Sequence, residues 1–151
     1  MNPFDETKLN EQNAKLENDL KKERENWMQN LKELIDMLKV NSKLTEAMAY
    51  GLSYRQMIVE KCIQYKQLLA KKNSVWDKVK ADRYKQYILE GDLKLTATEK
   101  NDFVTADITS LKYQISLLQG QIEFFQETVQ TLNSFQFAIK NKLQIITEEI
   151  M

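Results

Sequence analysis

The 151-residue chain has a formal net charge of zero, no histidine, one cysteine, one proline and three glycines. Without histidine, it lacks the commonest general base near neutral pH and the commonest metal ligand, and a lone Cys62 excludes an intrachain disulfide. Because residues that break helices or build β-turns are so few, the composition predicts an all-α protein. We expect three long helices in an elongated, hairpin-like bundle.

The first predicted helix covers about residues 5–40, and its early turns are mostly charged and amide residues. Because so narrow an apolar stripe buries little surface, we interpret residues 1–26 as a charged N-terminal helical extension, exposed or docked on a partner. Residues 27–151 then form a single helical domain. Asn41 and Ser42 predict a break after this helix. Its apolar positions share helical spacing: Leu20, Trp27, Leu31, Leu34 and Leu38.

The second predicted helix, the basic central helix of about residues 43–90, has an uneven charge. Residues 61–85 contain eight cations and two carboxylates, a net charge of +6 in a chain that is neutral overall. Lysines that neutralise phosphates release condensed counterions. This segment therefore indicates a polyanion-binding surface, although a run of charge on a helix is often only a solvated face.

Aromatic residues are interleaved with these cations at Tyr65, Trp76 and Tyr84. An exposed ring offers a stacking surface to an unpaired base, so cations and rings together are typical of proteins that bind single strands. The alternative is that Trp76 and Tyr84 belong to the core. The candidate nucleic-acid-binding residues are Lys61, Lys66, Lys71, Lys72, Trp76, Lys78, Lys80 and Arg83.

The third predicted helix covers about residues 97–150. Gly91 is placed to end the second helix, and Thr96 with Glu99 has the spacing of a capping box that starts the third. From Ile108 onward a seven-residue repeat places apolar side chains at twelve of thirteen a and d positions, with Gln136 as the exception. Such a repeat is typical of coiled-coil packing. Gly120 interrupts this helix, and close backbone approach is the one role its type suggests.

We interpret this helix as the oligomerisation helix, packing against copies of itself on one side and against the first helices on the other. The reason is a second apolar stripe, at Phe103, Leu117 and Phe124, which needs neighbours on two sides. Packing within one chain is the alternative. The candidate oligomerisation residues are Ile115, Leu118, Ile122, Phe125, Val129, Leu132, Ile139 and Leu143.

No spacing in the chain is typical of an acid–base pair, an activated nucleophile, a metal site or a phosphate-binding glycine loop. We therefore expect neither enzymatic activity nor a cofactor. No run approaches the ~18 apolar residues of a membrane span, so no membrane partner is expected. The residue patterns leave open a structural or scaffolding coiled-coil assembly protein that does not bind nucleic acid.

Four segments resemble the UvsY-type recombination mediators of T-even-like bacteriophages, over about residues 27–143. They are residues 87–92 (YILEGD), 109–113 (TSLKY), 122–125 (IEFF) and 135–141 (FQFAIKN). In that family the DNA-contacting cations fall nearest Lys66, Lys71 and Lys72 of this chain. The chain departs from the family in the adjacency of Lys71 and Lys72, and in Trp76 where tyrosine is common.

The resemblance implies a mediator of DNA recombination, repair and replication that binds single-stranded DNA. It also implies a ring-like homo-oligomer of about six or more subunits. Its partners would be a RecA-like recombinase, which it helps to load, and the single-strand-binding protein that the recombinase displaces. Its place would be the cytoplasm of the infected bacterial host.

Overall fold

The computed structural model describes residues 6–90, 96–99 and 108–150, without the side chains of residues 6 and 87–90. Nearly all the described residues are helical and none is in a strand, which confirms the all-α class. The predicted break after the first helix is confirmed by a 3-10 turn at Asn41–Lys43. The three long helices are α1 (Glu6–Leu38), α2 (Leu44–Glu90) and α3 (Thr109–Ile150).

The predicted capping box is formed. The backbone N–H of Thr96 donates to Glu99 Oε2 at 3.2 Å, and the backbone N–H of Glu99 donates to Thr96 Oγ1 at 3.2 Å. Residues 97–99 are helical, as this start signal predicts. Gly91, Phe103 and residues 100–107 lie outside the described residues.

The chain divides into two compact units, and every long helix contributes to both. Unit 1 combines Met1–Asp19 with Lys66–Gly120, and unit 2 combines Leu20–Tyr65 with Gln121–Met151. In unit 2, α1 runs parallel to α3, since Arg24 bonds Gln121 and the later Leu38 bonds the later Lys142.

The second helix of unit 2 runs the opposite way. Tyr65, late in this part of α2, stacks on Phe125 near the start of unit 2's share of α3, with ring centroids 5.6 Å apart. Arg55, ten residues earlier on α2, donates to Asn133 Oδ1, which lies further along α3, at 2.8 Å. This antiparallel pairing of α2 with α3 agrees with the predicted hairpin-like arrangement.

Unit 1 has its own apolar cluster between α2 and α3. Its buried members are Val79, Ile108, Leu111 and Ile115, with Leu69, Trp76 and Tyr84 packed against them. The first helix contributes hydrogen bonds to unit 1. Asn13 Nδ2 donates to the Ser110 carbonyl at 2.7 Å, and Ser110 Oγ donates to Asn10 Oδ1 at 2.8 Å.

These contacts correct the interpretation of residues 1–26 as an exposed or partner-docked extension. The described part of that segment lies within α1, which continues through residue 26 without a break. Asn13 and Leu20 are only 3% and 2% exposed. The apolar stripe is narrow because amide side chains take part in docking these turns of α1, through hydrogen bonds to α3. A search for hydrophobic periodicity does not detect amide side chains.

The seven-residue repeat of α3 is covered within the chain. Six of the eight candidate oligomerisation residues are buried within the single chain, each at most 8% exposed: Ile115, Leu118, Ile122, Phe125, Leu132 and Ile139. Val129 and Leu143 are half-buried. Side chains covered by their own chain are not available to another copy in this conformation, so the intrachain alternative describes the seam.

A second line of buried residues explains why α1 and α2 both fit on α3. The g positions that flank the seam are buried too, at Gln114, Gln121, Thr128 and Phe135. Together, the a, d and g positions make an arc wide enough for two neighbouring helices. The wide arc predicted for α3 is thus real, and its neighbours belong to the same chain.

Gln136, the polar exception in the seam, has a specific partner. Its Nε2 donates to the Met48 carbonyl of α2 at 3.1 Å. Gly51 makes room for this amide, because a Cβ at that position would overlap Gln136 Nε2. A mid-helix glycine and a polar seam residue, each unfavourable by itself, form one complementary contact.

Gly120 has no such role within the chain. A Cβ built there meets no atom within 4 Å, so the described residues show no close backbone approach at this position. It remains an exposed glycine in the middle of a helix, with the entropic cost that such a residue carries.

The two helical glycines predict opposite responses to alanine. Gly120→Ala should raise the free energy of unfolding by about 1 kcal/mol, since alanine favours the helix and nothing obstructs its methyl group. Gly51→Ala should lose that gain, because the new Cβ displaces the Gln136 amide from its hydrogen bond, worth about 1 kcal/mol. Urea denaturation of both variants measures the difference.

The matched control is Gly51→Ala in a Gln136→Ala background, where the obstructing amide is absent and the alanine gain should return. If Gly51→Ala stabilises the otherwise native chain as much as Gly120→Ala does, the Gly51–Gln136 contact is absent in solution.

A tyrosine reports on the docking of α1 against α3 in unit 1. Tyr113 Oη donates to Glu17 Oε2 at 3.0 Å, and this bond raises the pKa of Tyr113 above its usual value of 10.0, with desolvation and the Glu17 charge adding to it. The neutral phenol is thus favoured in the folded chain. Its stabilising effect is present below the usual pKa and is lost as the pH rises through the raised one.

Glu17→Gln should therefore lower the Tyr113 pKa towards its usual value. The titration of the Tyr113 Cζ resonance by NMR at alkaline pH measures this shift. An identical titration in both proteins would show that the early turns of α1 do not dock as described.

Candidate nucleic-acid interface

One face of α2 presents three exposed lysines in a row. Lys71, Lys78 and Lys85 are seven residues apart and all exposed. Residues at this spacing lie on the same helix face, about 10.5 Å apart along the axis. We call these three residues the lysine stripe.

The other candidate cations lie elsewhere around α2. Lys66 is exposed, but the five residues that separate it from Lys71 turn it by about 140° around the helix. Lys72, Lys80 and Arg83 are half-buried, and Arg83 Nη1 donates to Gln86 Oε1 at 3.3 Å. These candidate cations therefore do not form one patch with the lysine stripe.

The family-derived positions are separated in the same way. Lys71 belongs to the stripe, Lys66 points to a different side, and Lys72 is half-buried beside the core. Lys85, which was within the basic segment but not among the candidate site residues, belongs with Lys71 and Lys78. Its seven-residue spacing from Lys78 was the signal that could have identified it.

The stripe lysines form no ion pair among the described residues. The one ion pair there joins Asp36 of α1 and Lys39, just after the end of this helix, at 3.6 Å and at the surface. No cation of residues 61–85 takes part in an ion pair there. Asp82 is the carboxylate nearest the stripe by spacing, four residues after Lys78 and three before Lys85.

The interleaved aromatic rings face inward, which corrects the predicted stacking role of Trp76. Trp76 and Tyr84 pack against the unit 1 cluster. Tyr65 Oη donates to Glu23 Oε2 at 2.7 Å while its ring stacks on Phe125. The alternative interpretation of these rings as core residues is the one that the structure supports.

The spacing of Trp76 already pointed inward. It lies seven residues after Leu69 and fourteen after Cys62, and Cys62 is a buried free thiol. Counting from buried positions, rather than from neighbouring lysines, places the ring in the core.

Unit 2 contains a separate open cavity of about 310 Å³. Its charged lining is mixed, with Glu33 and Glu46 opposite in sign to Lys43, and the stacked rings of Tyr50 and Tyr54 form one wall. Such a lining gives no preference for an anion. We find no reason to extend the interface to it.

In the part of the chain that the structure describes, no group of three acidic, cysteine or histidine side chains is placed to hold a metal ion. None of the helices in this part of the chain is long and apolar enough to cross a membrane.

Comparisons with known proteins add no relative. The chain matches no protein-family model, no curated protein and no solved structure. The resemblance to recombination mediators therefore depends on the quoted segments alone, and the interface is argued from its own geometry.

The position of Asp82 gives a test of the stripe. Asp82→Asn should strengthen binding of a single-stranded oligonucleotide by roughly threefold at low salt, because it removes the carboxylate between two stripe lysines. Fluorescence anisotropy measures the affinity. Asp77→Asn is the matched control, since it makes the same charge change about 100° around the helix from Lys78. Equal effects of the two substitutions would show that the strand does not follow the stripe.

Proposed function

We propose that this protein binds nucleic acid through the lysine stripe and prefers single strands. The observation that carries the proposal is the row of Lys71, Lys78 and Lys85, exposed and without ion pairs in the described residues. A net-zero chain that concentrates +6 on part of one helix attracts polyanions locally without being generally basic.

Strand flexibility favours the single strand at such a site. Lysines fixed at about 10.5 Å intervals on a rigid helix require phosphates to come to them. A single strand can bend to do so, whereas duplex DNA is stiff, with a persistence length of about 50 nm. Each phosphate that is neutralised releases counterions, so binding should weaken steeply with salt.

The family resemblance extends this to a recombination mediator. In that role, the protein would hold single-stranded DNA so that a RecA-like recombinase can assemble where the single-strand-binding protein was. The segments that resemble the family include residues with structural roles in this chain. Phe125 and Ile139 are fully buried, and Ser110 and Tyr113 hydrogen-bond α1.

Self-association is part of the same proposal, on surfaces other than the seam. The resemblance implies a ring-like oligomer, and the seam residues are already covered within the chain. Exposed apolar side chains remain, of which Phe137 on α3 (67% exposed) and Leu52 on α2 (56% exposed) are examples. A ring requires contacts between different surfaces of neighbouring copies.

A second candidate is a structural or scaffolding assembly protein that does not bind nucleic acid. The same exposed apolar side chains favour it, because a long helical bundle with such surfaces can join larger assemblies. In that case the lysine stripe would be a solvated or protein-binding face.

The deciding experiment replaces Lys71, Lys78 and Lys85 together with alanine. Anisotropy titrations of a labelled single strand at several salt concentrations should then show weaker binding. The slope of log affinity against log salt should fall by about two units, since each lost contact to a single strand removes about 0.7.

The chain supplies a matched control in Lys8, Lys15 and Lys22 of α1. They are exposed and seven residues apart, but Glu11 and Asp19 lie between them by spacing. Their triple alanine variant should bind nearly as the native protein does. If both triple variants bind alike, or if the native protein does not bind at low salt, the scaffolding alternative is favoured.

A further inference from the structure

A preference for single strands usually implies contacts with exposed bases, and the described residues near the lysine stripe offer few groups to make them. Resting on the proposed function, we propose that the lysine stripe recognises the sugar–phosphate backbone alone, so that the bases contribute nothing to affinity. Preference for single strands then comes from the flexibility of the backbone.

The first argument is the position of the rings near the stripe. Trp76 and Tyr84 are partly buried and pack against the apolar cluster of unit 1. Releasing either ring for stacking would expose part of the unit 1 core to water, which costs free energy in proportion to the apolar area uncovered. The rings of the basic segment therefore stabilise the fold rather than a bound base.

Among the described residues, the exposed rings elsewhere do not replace them. Tyr113, in unit 1, is hydrogen-bonded to the Glu17 carboxylate, whose charge repels phosphates. Tyr50 stacks on Tyr54 and lines the unit 2 cavity beside carboxylates. Phe137 belongs to unit 2, whereas the whole stripe belongs to unit 1.

The second argument is what lies between the lysines. The positions three and four residues after Lys71 are Ser74 and Val75, and those after Lys78 are Ala81 and Asp82. These side chains neither stack on bases nor present the amide or guanidinium forks that read base edges. Lysine itself acts as a point charge suited to phosphates.

Affinity should then depend neither on which bases the strand carries nor on whether it carries bases at all. A strand of the same length and charge but without bases should bind like ordinary DNA. A stiff duplex of the same charge density should bind less well, because its phosphates cannot adjust to the stripe.

The test compares three labelled ligands of equal length by anisotropy with the native protein: oligothymidine, a strand made entirely of tetrahydrofuran abasic residues, and a duplex. The abasic strand should bind within about twofold of oligothymidine with the same salt slope, and the duplex more weakly. The Lys71, Lys78 and Lys85 triple alanine variant should lose affinity equally for both single strands.

The outcomes separate the two levels of the proposal. If oligothymidine binds and the abasic strand binds tenfold or more weakly, bases are contacted and the backbone-only inference is overturned, while the proposed function stands. A duplex that binds as tightly as the two single strands overturns the flexibility argument. If no ligand binds at low salt, the proposed function itself fails.

Discussion

The broad buried arc of α3 is the constraint on which the rest of the structure depends. Its a, d and g positions include fully buried Leu118, Gln121 and Phe125, and one neighbouring helix cannot cover them all. Gln121 restricts the solution further, because a buried amide without partners costs about 1–3 kcal/mol. It accepts from Arg24 Nη1 at 2.7 Å and donates to the Leu20 carbonyl at 3.3 Å. Apolar burial therefore brings α1 to α3, and the amide selects the register.

The same constraint determines what α2 can offer to a partner. Several of its aromatic side chains pack inward: Trp76 packs against the unit 1 cluster, and Tyr65 stacks on Phe125 in unit 2. What remains outside includes the lysine stripe, other polar side chains such as Lys66, and scattered apolar residues. A surface of this kind recognises charge and spacing rather than chemical detail. The proposed function thus follows from how the core is filled as much as from the cations themselves.

The sequence predicted the fold class, the break at Asn41–Lys43 and the Thr96–Glu99 capping box, because each depends on local chemistry. It could not decide what covers the α3 seam, since an intrachain and an intermolecular neighbour impose the same seven-residue repeat. It also missed the docking of α1, because Asn13 is held by a hydrogen bond that hydrophobic periodicity does not register. In the interface, charge counting found the basic segment, but only the packing of Trp76 against the unit 1 cluster divided it into a core side and a lysine stripe.

The most direct test of the account is whether a single chain is folded. Sedimentation and far-ultraviolet circular dichroism, measured on the same dilution series, would compare the mass of the particle with its helix content. Full helicity and cooperative thermal unfolding are expected at concentrations where the mass is that of one 17.8 kDa chain. Helix content that falls in step with dissociation would contradict this expectation, because the α3 seam would then be filled by another copy.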